Sequence, residues 1–179
     1  LYIPSVERAY QSVKDIEYVV TFGWWIRAVH RIAAHLMIVT VVLHLARVFY
    51  TGAYKNGVGQ GQQREWNWVI GVVMLLLTLF MSFTGYLLPW DQLAYWAVTV
   101  GTNIASSVPF VGPTIRELLI GGRAIEQATL IRFYVLHIIV LPGALGGLFA
   151  YHMWRIRKDG GLARADTAAV LAEKRPTGV

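Results

Sequence analysis

The sequence predicts an all-α integral membrane protein. Of its 179 residues, 56% are hydrophobic and 15% are charged, whereas a soluble domain carries about 25% charged residues. Three stretches, residues 23–50, 68–88 and 130–154, reach the length of about 20 mostly apolar residues that a membrane span needs. The net charge of +6 comes mainly from basic residues at the ends of these stretches, which is typical of membrane proteins contacting lipid. Nucleic acid is therefore not an expected partner.

Residues 1–22 are predicted to form an amphipathic helix on the membrane surface, beginning at the Pro4-Ser5 pair. Apolar residues recur there three or four positions apart, which is helical spacing: Ile3, Val6, Tyr10, Val13, Ile16 and Val20. Residues 23–158 are predicted to form the transmembrane domain. Residues 159–179 are polar and are expected to be a solvated tail.

Two connections join the three spans. Residues 51–66 are polar and glycine-rich, and their GVGQG run lacks the preceding strand of a phosphate-binding loop, so an inter-helix loop is predicted. Residues 89–129 are long and rich in apolar and aromatic side chains, which indicates a structured cap. Lys and Arg cluster in the first connection and after the third span, so these ends are predicted to face the negative side of the membrane.

All five histidines lie in or at the rim of the predicted spans, where ionisable residues are costly and usually functional. His30 and His44 are 14 residues apart, which on a regular helix means about 40° in azimuth and about 21 Å in height. His137 and His152 are 15 residues apart, or about 60° and about 22 Å. The chain has no cysteine, so a cofactor must be held by other side chains or the backbone.

The first and third spans run in the same direction, because one span separates them. Their first histidines therefore meet at one depth and their second histidines at another, which predicts two haems, each with two axial imidazoles. His35 lies about 140° around the helix from His30, and we expect it to form a hydrogen bond to another helix or at the edge of a haem rather than to bind iron. The alternative is a haem-free membrane protein that uses histidines as a proton relay or as metal sites.

Glycine and arginine residues accompany the histidines. Gly71 and Gly85 repeat at the spacing of His30 and His44, and glycine lets a backbone approach a flat ligand closely; helix packing is the alternative role. Arg27 precedes His30 by three residues and Arg47 follows His44 by three. Since arginine binds carboxylates bidentately, both are candidate ligands of haem propionates, although Arg47 also fits a basic anchor at the membrane face.

Five strings, FGWWIRAVHR, LHLARVFYTGAYK, TGYLLPWDQLAYWAVTV, RFYVLHIIVLPG and MWRIRKDGG, resemble the N-terminal haem-binding domain of cytochrome b. The likeness is closest to the short, split form of plastoquinol and menaquinol complexes, and it covers residues 1–160. That domain has four helices in the family. The first four residues resemble the exit from the family's first helix, so three spans are expected here and the first helix is expected to be missing.

The resemblance implies a role for each motif position. His30 and His137 correspond to ligands of the low-potential b haem, and His44 and His152 to ligands of the high-potential b haem. Arg27 and Arg47 correspond to propionate-binding positions, and Arg157 to a basic position near the negative-side quinone pocket. The wall of the quinol-oxidation pocket corresponds to Pro89, Trp90, Asp91, Tyr95 and Trp96.

The resemblance further implies a subunit of a quinol:cytochrome c or quinol:plastocyanin-type oxidoreductase that is not active alone. It would pass electrons across a bacterial plasma membrane or a thylakoid-type membrane, in a proton-translocating quinone cycle. The implied partners are a Rieske iron–sulfur protein, a c-type cytochrome and a C-terminal cytochrome b half or subunit IV-like protein, in a dimeric complex. The alternative of the same chemistry is a di-haem membrane anchor of a quinone-linked dehydrogenase or hydrogenase.

Overall fold

A computed structural model describes residues 1–56 and 63–161, which form helices and turns with no β-strand among them. The helices are α1 (Ala9–Tyr18), α2 (Gly23–Tyr50), α3 (Arg64–Leu87), α4 (Gln92–Ser106), α5 (Gly112–Ile120), α6 (Gln127–Val135) and α7 (Leu141–Lys158). A π-helical turn, Leu136–Val140, joins α6 to α7. Three helical stretches can cross a membrane: Gly23–Tyr50, Arg64–Leu87 and Gln127–Lys158. The predicted fold class is confirmed, and the chain is an integral membrane protein.

The helices extend beyond the apolar stretches that predicted them. The second span begins at Arg64 and the third reaches Lys158, because hydropathy marks the apolar part whereas a helix ends where its terminal groups find partners. The predicted start of the N-terminal helix is wrong. The carbonyl of Ser5 accepts from the N–H groups of Arg8 and Ala9 in a turn, and the α-helix begins only at Ala9.

The chain forms two compact units, and the first combines Leu1–His35 with Leu79–Pro142. Within it α4 packs on α5 and α5 packs on α6. Leu87, Ala94, Val98 and Phe133 form a fully buried core cluster, and Phe83 meets Phe133 edge-on with ring centroids 6.1 Å apart. Residues 89–129 thus contain two packed helices, which confirms that this connection is structured.

The second unit combines Leu36–Thr78 with the described chain from Gly143 onward. Aromatic rings line the end of α2 and the start of α3: Tyr54 stacks on Phe49 at 5.9 Å and tilts against Trp68 at 5.5 Å. The predicted GVGQG loop and residues 162–179 of the predicted tail lie outside the described residues. Asp159, the first residue of that predicted tail, is buried and paired with Arg155.

The π turn coincides with a proline and with a histidine. Pro142 has no N–H to donate to the carbonyl four residues earlier, so the α-helical hydrogen-bond pattern is interrupted there. In the preceding turn the N–H of Leu141 donates to the carbonyl of Leu136, five residues back. Such a turn contains one residue more than an α-helical turn. The 15 residues from His137 to His152 therefore correspond to the 14 residues from His30 to His44 on a regular α-helix. The unequal spacings of the two histidine pairs in the sequence are thereby explained. π turns are frequent at functional sites, and this one carries His137.

Candidate functional site

Each unit contains one pair of facing histidines. In the first unit, the rings of His30 on α2 and His137 on the π turn have centroids 6.2 Å apart and planes inclined at 72°. In the second unit, the rings of His44 on α2 and His152 on α7 have centroids 6.5 Å apart and planes inclined at 82°. The α2 histidines are exposed and their partners are half-buried. The structure therefore brings together the residues that the sequence paired.

The ring separations match two imidazoles on opposite sides of one metal ion. A metal–imidazole bond is about 2 Å long and the nitrogen lies about 1.2 Å from the ring centre, so opposed ligands have centroids about 6.4 Å apart. The described residues offer no cluster of three or more His, Asp or Glu side chains suited to a metal. A pair of imidazoles suits an ion whose remaining ligands come from a planar macrocycle, as in haem.

The hydrogen bonds of His137 fix its tautomer. Its Nδ1 lies 3.1 Å from the backbone carbonyl oxygen of Met81 and 3.1 Å from Oγ1 of Thr84. A carbonyl can only accept, so Nδ1 carries the proton. The Thr84 hydroxyl donates to the same carbonyl at 2.8 Å, which leaves its oxygen lone pairs to accept from Nδ1–H. In the neutral ring Nε2 is then the free nitrogen, available to a metal.

Glycines of α3 lie against the half-buried imidazole of each pair. A Cβ added at Gly85 would stand 2.6 Å from Cε1 of His137, which is far inside van der Waals contact. A Cβ added at Gly71 would stand 3.6 Å from Cε1 of His152, an ordinary contact. The absence of a side chain is therefore required by the neighbouring ring at Gly85 but not at Gly71; the predicted contact of both glycines with haem stays a prediction.

The second histidine pair borders a cavity of about 60 Å³. Besides His44, His152 and Gly71, polar side chains of the α3 N-terminus line it, among them Asn67 and Trp68. Asn67 Oδ1 and Trp68 Nε1 are buried, and neither finds a hydrogen-bond partner within the described chain. Buried polar atoms are almost always paired in native proteins, so these two mark the cavity as a place for a ligand or water. Sequence reasoning missed both residues.

The predicted propionate ligands differ in their surroundings. Arg27 forms an ion pair with Glu17 of α1, and both side chains are partly exposed. Arg47 and Arg157 are exposed, and within the described residues neither side chain forms an ion pair. Glu17 therefore already supplies Arg27 with a carboxylate partner. The propionate roles and the quinone-pocket role of Arg157 remain predictions.

Two further sequence expectations concern His35 and the quinol-pocket residues. His35 is exposed, and its side chain makes no hydrogen bond to another helix in the part of the chain that the structure describes. A hydrogen bond at the edge of a haem, the other expected role, stays a prediction. Asp91 is the N-cap of α4, and its carboxylate accepts from the N–H of Ala94 at 2.8 Å.

The neighbouring aromatic side chains form an edge-to-face series. Tyr95 meets Trp90 at 6.5 Å and Trp96 at 5.7 Å, and Trp90 has the unusual φ of +53°. Pro89 precedes them at the end of α3 and is partly buried. A non-glycine residue at positive φ is strained and often lies at a binding site. The five predicted pocket residues are thus contiguous in space, while their contact with quinol stays a prediction.

Comparison with known proteins places these features in context. The sequence matches the family described as cytochrome b(N-terminal)/b6/petB over residues 35–176. It is 45% identical over 159 residues to cytochrome b6 of Synechococcus elongatus, covering 89% of this chain and 71% of the relative. It is 44% identical to cytochrome b6 of Prochlorococcus marinus, covering 89% and 70%.

A solved structure is also similar. A chain of the "Hyperthermophilic respiratory Complex III" superposes with a TM-score of 0.78 at 30% sequence identity. The match covers 89% of this chain and 42% of the solved one. The present chain therefore spans less than half the length of that protein.

Proposed function

The chain belongs to the cytochrome b(N-terminal)/b6/petB family, and on that premise we propose that it is the haem-carrying subunit of a quinol oxidoreductase. The single observation that carries the proposal is the pair of facing imidazoles in each unit, at 6.2 and 6.5 Å. The chain is an integral membrane protein, and a bacterial plasma membrane or a thylakoid-type membrane is its setting.

Haem, when bound, supplies a reversible one-electron carrier whose potential depends on its axial ligands and their hydrogen bonds. His30 and His137 hold the low-potential b haem, and His44 and His152 hold the high-potential b haem. The carbonyl of Met81 keeps the proton of His137 on Nδ1, so Nε2 would be the nitrogen that binds the iron. Gly85 gives the imidazole of the π turn room against α3, and Gly71 lies against the imidazole of α7.

Arginine side chains and residues at the ends of the membrane spans would complete the haem and quinone sites. Arg27 and Arg47 neutralise haem propionates, Arg27 exchanging or sharing its carboxylate partner Glu17. The Pro89–Trp96 segment forms one wall of a quinol-oxidation pocket, and Arg157 lies at a quinone pocket on the opposite, negative side. The residues of this chain then hold an electron path between the two faces of the membrane.

Turnover would require other subunits. A Rieske iron–sulfur protein would accept one electron of each quinol and pass it to a c-type cytochrome, and the second electron would follow the histidine-held path to quinone at the negative-side pocket. Quinol oxidation would release two protons on the positive side and quinone reduction would take up protons on the negative side, which would make the cycle proton-translocating. A C-terminal cytochrome b half or subunit IV-like protein supplies the remaining pocket walls, in a dimeric complex. Copurification of a Rieske protein with this chain would support this assignment. Copurification of a dehydrogenase or hydrogenase instead would identify the chain as a membrane anchor of that enzyme.

The test uses histidine variants of the membrane complex purified through a tag on this chain. We expect two b-type haems per chain in the wild type and one in His30→Leu or in His44→Leu, measured by haem-to-protein ratio and by the reduced-minus-oxidised absorbance spectrum. His35→Leu is the matched control on the same helix and should keep both haems. Wild-type protein without a b-type spectrum, or a His30→Leu variant with both haems, would refute the proposal.

A further inference from the structure

Helix α3 presents the same backbone frame to two histidines, once at Gly71 and again at Gly85. In each copy the glycine lies against an imidazole, and the backbone of the residue four positions before that glycine lies near the same ring. The copies are Met81 and Gly85 facing His137, and Asn67 and Gly71 facing His152. Because the α3 backbone is arranged in the same way around Gly71 and around Gly85, a side chain that differs between the two positions can make the two histidine sites differ.

The copies differ at the residue just before the glycine. Thr84 is fully buried, and its Oγ1 lies 3.1 Å from Nδ1 of His137. The equivalent position holds Ile70, which is buried and apolar. Nδ1 of His152 is buried and makes no hydrogen bond within the described residues, although the backbone of Asn67 lies near the same ring. Nδ1 of His137 therefore has two hydrogen-bond partners, whereas Nδ1 of His152 has none among the described residues.

The number of acceptors on Nδ1–H changes the opposite nitrogen. Each acceptor draws the proton away from the ring, which makes Nε2 more basic and a stronger donor to a metal. A stronger donor stabilises the more highly charged, oxidised metal and lowers its reduction potential. The Thr84 hydroxyl acts on Nδ1–H as an acceptor, because it donates its own hydrogen to the Met81 carbonyl at 2.8 Å.

We propose that Thr84 is a positioning residue that lowers the reduction potential of the haem held by His30 and His137, without touching that haem's iron. This inference rests on the proposed function, since it requires a haem at that pair. The Thr84 hydroxyl would also explain why two haem sites with the same α3 backbone arrangement have unequal reduction potentials. The difference lies in a hydroxyl that one site has and the other lacks.

The experiment is a redox titration of the purified membrane complex, followed by optical absorbance and by low-temperature electron paramagnetic resonance. Thr84→Val removes the hydroxyl at nearly constant volume, and Thr84→Ala removes it without adding a methyl group. We expect either change to raise the midpoint potential of one haem and leave the other unchanged. Thr84→Ser keeps a hydroxyl and should restore the wild-type potential and the wild-type resonance signal.

Thr78→Val is the matched control, because Thr78 is another buried threonine of α3 and its hydroxyl donates only to the carbonyl of Met74, at 2.8 Å. It should shift neither potential. Unchanged midpoints in Thr84→Val with both haems present would overturn the proposal. Loss of one haem from both Thr84→Val and Thr84→Ala would also overturn it, because the hydroxyl would then be needed to hold the ring rather than to tune it. A wild-type complex without haem would instead refute the proposed function.

Discussion

A Cβ added at Gly85 would lie 2.6 Å from Cε1 of His137 and 3.2 Å from both of its ring nitrogens. The ring cannot retreat without lengthening its bonds to Met81 and Thr84. We therefore expect Gly85→Ala to displace the imidazole and to cost about 1–3 kcal/mol, as overpacking of a buried site does. The expected result is loss of one of the two haems from the purified complex, read from its haem-to-protein ratio.

Gly71→Ala provides the comparison for this prediction. Its added methyl would stand 3.6 Å from the ring of His152, at normal contact distance. The variant should keep both haems, and its thermal stability should change little. Equal haem content in the two alanine variants would show that the close approach at Gly85 does not control ligand placement.

Asp91 is expected to act on α4 as a helix cap, whatever its contact with quinol. Replacing an N-cap Asp by Ala costs about 1 kcal/mol, whereas Asn caps as well as Asp does. Asp91→Ala should therefore lower the thermal unfolding temperature of the complex, and Asp91→Asn should not. If quinol oxidation falls in Asp91→Asn while stability is retained, the carboxylate has a role beyond the cap; if Asp91→Ala is as stable as wild type, the capping assignment is wrong.

Tyr2 ties the N-terminal segment to the end of α3, since its hydroxyl donates to the carbonyl of Leu88 at 2.7 Å. Burial, and then the neighbouring phenol of Tyr134, raises the pKa of Tyr2 well above its usual range. The folded state thus holds this proton more tightly than the unfolded chain does. Its contribution to stability is full below the ordinary tyrosine pKa of about 10 and declines as the pH rises further.

Tyr2→Phe tests this linkage. Losing the hydrogen bond should lower the free energy of unfolding by about 1 kcal/mol at neutral pH, and the variant should lose less stability than wild type at alkaline pH. Thermal unfolding followed across this pH range measures both effects. Tyr10→Phe, at an exposed tyrosine of α1, is the control; a wild-type and Tyr2→Phe pair with parallel alkaline profiles would contradict the assignment.

The fold was predictable because the membrane imposes strong rules on the sequence. A bilayer requires long apolar helices, and the three apolar stretches became α2, α3 and the helix from Gln127 to Lys158. Paired histidines were predictable because regular helix geometry places His30 and His44 on a shared face. His30 with His137 and His44 with His152 followed from counting alone.

The contacts around these histidine pairs could not be predicted from residue spacing. Thr84 and His137 are 53 residues apart in sequence, and nothing in the charge-free stretch 68–88 distinguishes one threonine from another. Pro142 interrupts a predicted span and so indicates an irregular turn in the sequence. How that turn rotates the residues after it could be seen only in the structure. The ion pairing of Arg27 with Glu17 depends on the direction in which α1 approaches α2 within the first unit.

Asp159 and Arg155 form a buried ion pair at the end of α7, and their four-residue spacing was the sequence signal for it. One Arg155 nitrogen contacts both carboxylate oxygens, at 2.8 and 3.1 Å. Removing one partner leaves an uncompensated buried charge, which costs about 3–5 kcal/mol. We expect Arg155→Leu and Asp159→Leu each to lower the thermal stability of the complex strongly.

The double variant Arg155→Leu/Asp159→Leu should be more stable than either single variant, because neither of these two charges is then buried without the other. A double-mutant cycle on unfolding free energies isolates this coupling from other effects of each substitution. Arg157→Leu, two residues from Arg155 and exposed, is the control and should change stability by less than about 0.5 kcal/mol. If the two single losses simply add in the double variant, the two charges do not stabilise each other, and the end of α7 is held by the hydrogen bond from Arg64 to the carbonyl of Asp159 instead.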